Sequence, residues 1–213
     1  MTIIDCVSDL HGFYPNVGSG DLLIVCGDLT ARDESYQYSE FMQWLENQKY
    51  KSKIIIAGNH DNQIENGLDF DFPDLGIYYL CDSGTEFEGL KVWGSPWTLK
   101  FKGINPACMA FTCDTEEELA EKWAMIPQDT DILITHSPPY RVLDKTIRNE
   151  HVGSKYLTVL VASDRPKLHI FGHIHESYGK YCKGRDAFDP IYINASHVNE
   201  RYEPINPPIR VIL

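Results

Sequence analysis

The chain has 213 residues, 43% of them hydrophobic, which suffices for one well-buried core and is short for two domains. Its formal net charge is -12, from 31 acids against 19 bases, and so negative a surface disfavours binding to a long nucleic acid. No run is apolar over the length that a bilayer crossing needs. Thr2 to Val7 and Leu22 to Cys26 are short runs rich in Ile and Val, the pattern of buried strands. Between Glu34 and Tyr50, Tyr38, Phe41, Met42 and Leu45 fall on one face at helical spacing. Lys53 to Ala57 is a third strand. Ile77–Leu80 and Glu86–Trp93 read as β structure, with Asp82-Ser83-Gly84 as the break between them and Glu88-Gly89 as a turn.

Thr115-Glu116-Glu117-Glu118 predicts a capping box, in which Thr115 takes an orphan N–H and Glu118 reciprocates. Leu119, Trp123 and Ile126 give that helix its buried stripe. Asp131 to Thr135 is a strand, Gly153 to Ala162 a buried helix, and Leu168 to Phe171 a further strand. Ile191–Asn194 and Ile209–Leu213 supply late strands. No repeat or linker divides residues 1–213, so one domain is expected, an α/β fold of mixed sheets packed face to face. The six cysteines form no C-x-x-C pair, and the first residues read as a strand rather than a secretory leader. A reducing, cytoplasmic setting is expected, with neither a disulfide framework nor a thiolate zinc site.

Four polar clusters follow these strands in order. They are Asp9-Leu10-His11, Gly27-Asp28, Gly58-Asn59-His60-Asp61, and His136 together with Gly172-His173-Ile174-His175. In an open α/β sheet, ligands bind beyond the carboxyl ends of the strands, so these groups are expected to converge. Asp9 and His11 lie two apart, and in extended backbone they would project to the same side. Gly27 permits a tight turn that aims Asp28 outward. Asn59 can offer a carbonyl oxygen while His60 points elsewhere, and His173 and His175 share one side of a strand end. Singly, each has a bland explanation: a capping aspartate, a turn, a core histidine. Five of the eight histidines beside Asp, Asn and Gly at strand ends argue for one mixed oxygen and nitrogen site, with ligands enough for two divalent ions.

This order, spanning residues 9 to 175, resembles the signature of calcineurin-like metallophosphoesterases. Gly94-Ser95-Pro96-Trp97-Thr98, His151-Val152-Gly153 and Asn194-Ala195-Ser196 with Asn206-Pro207-Pro208-Ile209 extend the likeness to the metallophosphoesterase-domain-containing (UPF0046-type) branch. The resemblance implies a four-layer α/β/β/α sandwich. It implies Asp9, His11 and His175 on a first metal, Asn59, His136 and His173 on a second, and Asp28 bridging both. His60 is left as the catalytic group. The protein-phosphatase branch has a second aspartate where this chain has Ala31, which weighs against protein phosphatase activity and leaves Asp33 and Asp61 as candidates to orient His60.

Two ions sharing a water would present it in line with phosphorus, with His60 protonating the departing oxygen. Four imidazoles favour manganese, iron or zinc over calcium, and the family analogy puts manganese first. The resemblance points to hydrolysis of small phosphodiesters, cyclic nucleotides among them, with a phosphomonoesterase, a nuclease or an inactive scaffold on the same fold as alternatives. Substrate contacts are expected from Trp97, Tyr140 or Phe13 as an aromatic wall, from Arg32 and Arg141 near the phosphate, and from His151 at a helix start that favours an anion. Packing of Trp97 under the Pro96 turn and a plain helix cap at His151 are the competing readings. The sequence leaves the oligomeric state open.

Overall fold

The computed structural model describes residues 1–68, 76–101, 108–184 and 189–213. The first part of the chain forms β1 (Ile3–Val7), β2 (Ser19–Cys26), α1 (Ser35–Glu46), β3 (Lys49–Ile56), α2 (Asn62–Glu65) and β4 (Ile77–Tyr79). Next come β5 (Ser83–Phe87), β6 (Leu90–Ser95), β7 (Thr98–Leu99), β8 (Thr112–Cys113) and α3 (Glu116–Trp123). The last part supplies β9 (Ile132–Thr135), α4 (Lys155–Asp164), β10 (Leu168–Phe171), β11 (Gly179–Cys182), β12 (Ile191–Asn194) and β13 (Ile209–Ile212). One 3-10 turn, His175–Ser177, follows β10.

Five strands make one sheet, in the order β13-β1-β2-β3-β4, and six make another, in the order β11-β12-β10-β9-β6-β5. Both are mixed: inner neighbours run parallel, while β13, β11 and β5 pair antiparallel with β1, β12 and β6. Successive side chains of a strand face opposite ways, and here both faces are apolar. Ile4, Cys6, Leu22, Ile24, Ile54 and Ile56 therefore pack inward against Val92, Ile132, Ile134, Leu168, Ile170 and Ile193 of the other sheet. The alternate residues Val7, Leu23, Val25 and Ile55 meet Tyr38, Phe41 and Leu45 of α1. Leu133, Phe171 and Tyr192 meet Leu119 and Trp123 of α3 with Leu157 and Val161 of α4. The result is the expected four-layer α/β/β/α stacking.

Local expectations fared unevenly. The helix expected up to Tyr50 stops at Glu46, because its apolar stripe ends at Leu45 and Lys49 and Tyr50 pair with Ser19 and Gly20 of β2. In the Asp82-Ser83-Gly84 break only Asp82 turns, with φ 45°; Ser83 and Gly84 already pair with Gly94 and Trp93. Thr115 Oγ1 accepts from the Glu118 N–H as expected, but the Glu118 carboxylate returns to the Asp114 N–H, one residue short of the cap. The segment expected as a buried helix begins at Lys155 and is buried on one face only, through Leu157 and Val161, with Val159 70% exposed. Edge strand β11 and the short pair β7 and β8 carry too little periodicity to be legible.

The two sheets are tied where the site lies. Beyond β1, the Ser8 N–H donates to Ala195 O (2.8 Å) and the His197 N–H donates back to Ser8 O (2.7 Å), so β1 of one sheet meets the chain leaving β12 of the other.

Candidate metal centre

Every candidate ligand sits just past the carboxyl end of a parallel strand: Asp9 and His11 after β1, Asp28 after β2, Asn59 after β3, His136 after β9, and His173 and His175 after β10. The backbone that aims them is not extended. Asp9, His11, Asp28 and His173 have φ of 50°, 43°, 54° and 68°, left-handed values that L residues with side chains adopt rarely and at a cost. The same-side projection expected for Asp9 with His11, and for His173 with His175, is thus corrected: tight turns, not strand pleating, do the aiming. His175 opens the 3-10 turn and goes to Asp9, while His173 goes to His136.

Glycines leave the necessary room. Gly27 has φ 97°, and a Cβ there would lie 2.6 Å from Ala57 O and 2.7 Å from His136 Nδ1. A methyl group at Gly172 would fall on Asp9 Oδ2 and Ser8 Oγ. Gly172→Ala should therefore push Asp9 out of place and weaken metal affinity by about 10–100-fold, the scale of a lost supporting contact. Chelator competition would measure it, and unchanged affinity would contradict the geometry.

The polar atoms converge. Ligand atoms of Asp9, His11, Asp28 and His175 all lie within 4.8 Å of one another. Asp9 Oδ1 is 3.2 Å from His175 Nε2, which is 3.3 Å from His11 Nε2. Asp28 Oδ2 lies 3.6 Å from His11 Nε2, 3.5 Å from His136 Nε2 and 3.9 Å from His60 Nε2. Asn59 Oδ1 is 3.0 Å from His136 Nε2, and the His136 and His173 rings are 4.9 Å apart. Supporting bonds hold these groups in place. The Asp9 carboxylate accepts from the His173 N–H and Ser196 Oγ, and Asp28 Oδ1 accepts from the His60 N–H at 2.9 Å. Nδ1 of His136 reaches Cys26 O (2.8 Å) and Nδ1 of His175 reaches Asn199 O (3.2 Å). Each Nδ1–H is spent on a carbonyl, which leaves the Nε2 lone pair for the cluster.

That arrangement fits divalent cations. His173 Nε2 is buried without a hydrogen-bond partner, a costly state that a metal ion relieves. Three imidazole Nε2 atoms near one carboxylate oxygen are more nitrogen than a hydrogen-bonded pair requires. Four imidazoles with carboxylate and amide oxygens suit zinc, manganese or iron.

The electrostatics agree. Burial alone would push Asp9 up, but His175 holds it below the usual carboxylate range; Asp28 is likewise held down by the imidazoles of His136, His60 and His11 against its burial. Burial pushes His11 and His173 down to about 3, so both are neutral and ready to ligate. His136 is opposite: burial lowers it, but the Asp28 carboxylate outweighs that and raises it to about 9. Without metal it is protonated at neutral pH, and binding an ion must displace that proton. Metal loading at neutral pH should therefore release protons, with affinity falling as pH is lowered below about 9. Titration in buffers of differing ionisation enthalpy reads this; no buffer dependence would contradict it.

The family model for calcineurin-like phosphoesterases matches residues 3–177. The chain belongs to the calcineurin-like phosphoesterase family. It is 34% identical to metallophosphoesterase domain-containing protein 1 of Homo sapiens, across 98% of this chain and 70% of that protein. A UPF0046 protein of Caenorhabditis elegans is 32% identical, across 96% of this chain and 72% of its own length. Among solved structures, TT1561 of Thermus thermophilus matches with a TM-score of 0.58 at 16% identity, covering 91% of this chain and 88% of that one, a likeness of fold. The phosphoesterase family and the cluster together imply a metal-dependent phosphoester hydrolase. No helix among the described residues is long and apolar enough to cross a membrane.

Within this phosphoesterase, the question left by Ala31 has an unexpected answer. Neither Asp33 nor Asp61 reaches the His60 ring. Asp33 accepts from Tyr38 Oη and the Gln63 N–H. Asp61, fully buried, accepts from the N–H groups of Gly58, Asp28 and Leu29 and so clasps the two ligand-bearing turns together. The neighbour of His60 Nδ1 is Cys108 Sγ, at 3.2 Å. Tyr202, another residue at positive φ (60°), places its ring 4.8 Å from His11 and 5.3 Å from His175. Cys108 and Tyr202 carry no motif, and no sequence signal pointed to them.

The expected substrate contacts divide. Trp97 donates to Asp82, packs edge-on against Phe111 and lies under Lys122 Nζ at 3.7 Å, so its ring is engaged away from the cluster. Arg32 is exposed, its backbone N–H held by Gln37, and Phe13 is exposed as well. Arg141 lies over the Tyr140 ring at 5.3 Å. His151 and Tyr140 line a cleft that His173 also lines. The helix start expected at His151 is displaced: Ser154 caps α4, and the Glu116 carboxylate accepts from the Ser154 hydroxyl and the Lys155 N–H. That helix end already has its anion.

Proposed function

We propose that this phosphoesterase is a two-metal phosphodiesterase acting on small phosphodiesters, cyclic nucleotides among them. Asp9, His11 and His175 would hold one ion, Asn59, His136 and His173 the other, and Asp28 would serve both, with manganese the first choice and iron or zinc compatible. The observation that carries the reading is Asp28 Oδ2, which lies 3.6 Å from His11 Nε2, 3.5 Å from His136 Nε2 and 3.9 Å from His60 Nε2. Two divalent ions at such a centre supply an activated water and neutralise charge on the phosphoryl oxygens.

The chain's own groups do the rest. Asp28, fixed by the His60 N–H, keeps the two ligand sets in register. His60 is 17% exposed at the cluster's edge, where it can pass a proton to the departing oxygen. A diester carries one negative charge and a monoester two. Among the described residues no Lys or Arg ion pair joins the cluster, so a diester is the better match.

A Mn²⁺-loaded sample tests this against bis-p-nitrophenyl phosphate, p-nitrophenyl phosphate and the 2′,3′- and 3′,5′-cyclic nucleotides. Turnover of diesters is expected to exceed that of the monoester. Preference for p-nitrophenyl phosphate would replace the reading with a monoesterase, and silence on all with metal bound would indicate an inactive scaffold.

A further inference from the structure

A cleft of about 330 Å³ is lined by His173, Phe101, Tyr140 and His151, with His60 not among its lining residues. Its volume is at the small end for ligand pockets, room for one compact arm rather than a chain of nucleotides. The Phe101 ring, 39% exposed, lies 5.1 Å from the His173 ring, so it joins the cleft to the metal cluster. Tyr140 is already covered by Arg141, Lys155 and the edge of His151. Among the described residues lining the cleft, Phe101 therefore offers the exposed phenyl ring.

His151 is held with unusual care for a residue outside the cluster. Asp144, wholly buried, accepts from His151 Nδ1 at 2.6 Å and from the Arg141 and Gly153 N–H groups at 2.9 Å each. A carboxylate already accepting two amide hydrogens requires Nδ1 to donate as well. That fixes the ring's orientation and leaves Nε2 as its remaining polar atom, on a side chain 31% exposed. Nothing in the cluster chemistry requires this dyad. Nor is the cleft built for a second phosphate: Lys100 pairs with Asp114 at 3.3 Å, Lys155 Nζ lies by the Tyr140 ring, and the Glu116 carboxylate lines the same wall.

Resting on the phosphodiesterase reading, we infer that this cleft seats the organic arm of the ester and selects a planar ring, stacked on Phe101, that carries a hydrogen-bond donor for His151 Nε2. The phosphoryl group then sits at the metals while the ring is read beside His173. Esters with small alkyl arms leave the cleft empty and bind through the metals alone.

Phosphonates test this without turnover. Calorimetry on the Mn²⁺-loaded protein would compare methylphosphonate, phenylphosphonate and the three aminophenylphosphonates. Phenylphosphonate should bind about tenfold tighter than methylphosphonate, the worth of one stacked ring. The best aminophenyl isomer should gain about fivefold more. Phe101→Ala should bring the phenyl-to-methyl ratio close to one. His151→Ala should cancel the amino-group gain and spare the phenyl-to-methyl ratio. Circular dichroism melts would confirm that both variants fold. Equal affinities across the series, or ratios untouched by Phe101→Ala, would overturn the ring subsite; no isomer gaining, or a gain that survives His151→Ala, would overturn the role of His151. Methylphosphonate that fails to bind in a metal-dependent way would instead count against the metal centre itself, so the two readings fail separately.

Discussion

Asp28→Asn should empty the centre of metal and lower kcat by more than about 100-fold, beyond the loss usual for a group that merely supports a ligand. The substitution is nearly isosteric, and asparagine tolerates the left-handed backbone that Asp28 adopts at φ 54°, so the fold should survive. The amide cannot replace the carboxylate in either orientation. With its oxygen facing the His60 N–H, the NH₂ group occupies the place of Oδ2, where it meets Nε2 of His11 and His136 and can ligate nothing. Turned over, the NH₂ faces the His60 N–H, donor against donor. The negative charge that holds His136 protonated in the absence of metal also disappears, and with it the attraction for two cations. Metal analysis after dialysis and a diester assay read the outcome. A variant that keeps its full metal content and turns over within tenfold of the parent would remove Asp28 from the bridging position.

His60→Ala should do the reverse, keeping the metals and losing about 10²–10⁴ in kcat on esters with an alkoxide leaving group. The ring is no candidate ligand, since its Nε2 is the most distant of the three imidazoles around Asp28 Oδ2. The part of His60 that supports the centre is its backbone N–H to Asp28, which alanine retains. If the ring supplies the leaving-group proton, the loss depends on the leaving group: small for p-nitrophenolate, which needs no proton, and large for an alkoxide such as a ribose hydroxyl. A loss of metal from the variant, or equal losses for both leaving groups, would assign His60 a structural task instead.

The contrast between Asp28 and Cys108 shows what was legible beforehand. Asp28 stands in a Gly-Asp cluster at the end of an Ile- and Val-rich run, so local pattern alone marked it. Cys108 has no such context, and its meeting with His60 spans 48 residues of chain. Asp61 was visible within Gly-Asn-His-Asp, yet its work was misplaced: three backbone N–H groups claim its oxygens, and only the folded turns bring those donors together. Trp97 was promising by position alone, but its ring is claimed by Phe111 and Lys122, partners distant in the chain. Phe101 went unnoticed because an aromatic residue next to charged neighbours has no distinctive period.

What the amino-acid order determined by itself was the set of buried strands and the chemistry at their ends. Continuous apolar runs must bury both faces, and a parallel strand must deliver its last residues to one edge of the sheet. Tertiary structure alone decided how those ends are turned and which distant groups serve them. The left-handed turns at Asp9, His11, Asp28 and His173 exist because glycine-sized gaps and hydrogen bonds across the two sheets over-determine them. The Cys108 thiol and the Tyr202 ring reach the site through contacts whose closure entropy is offset only once the whole sandwich is packed.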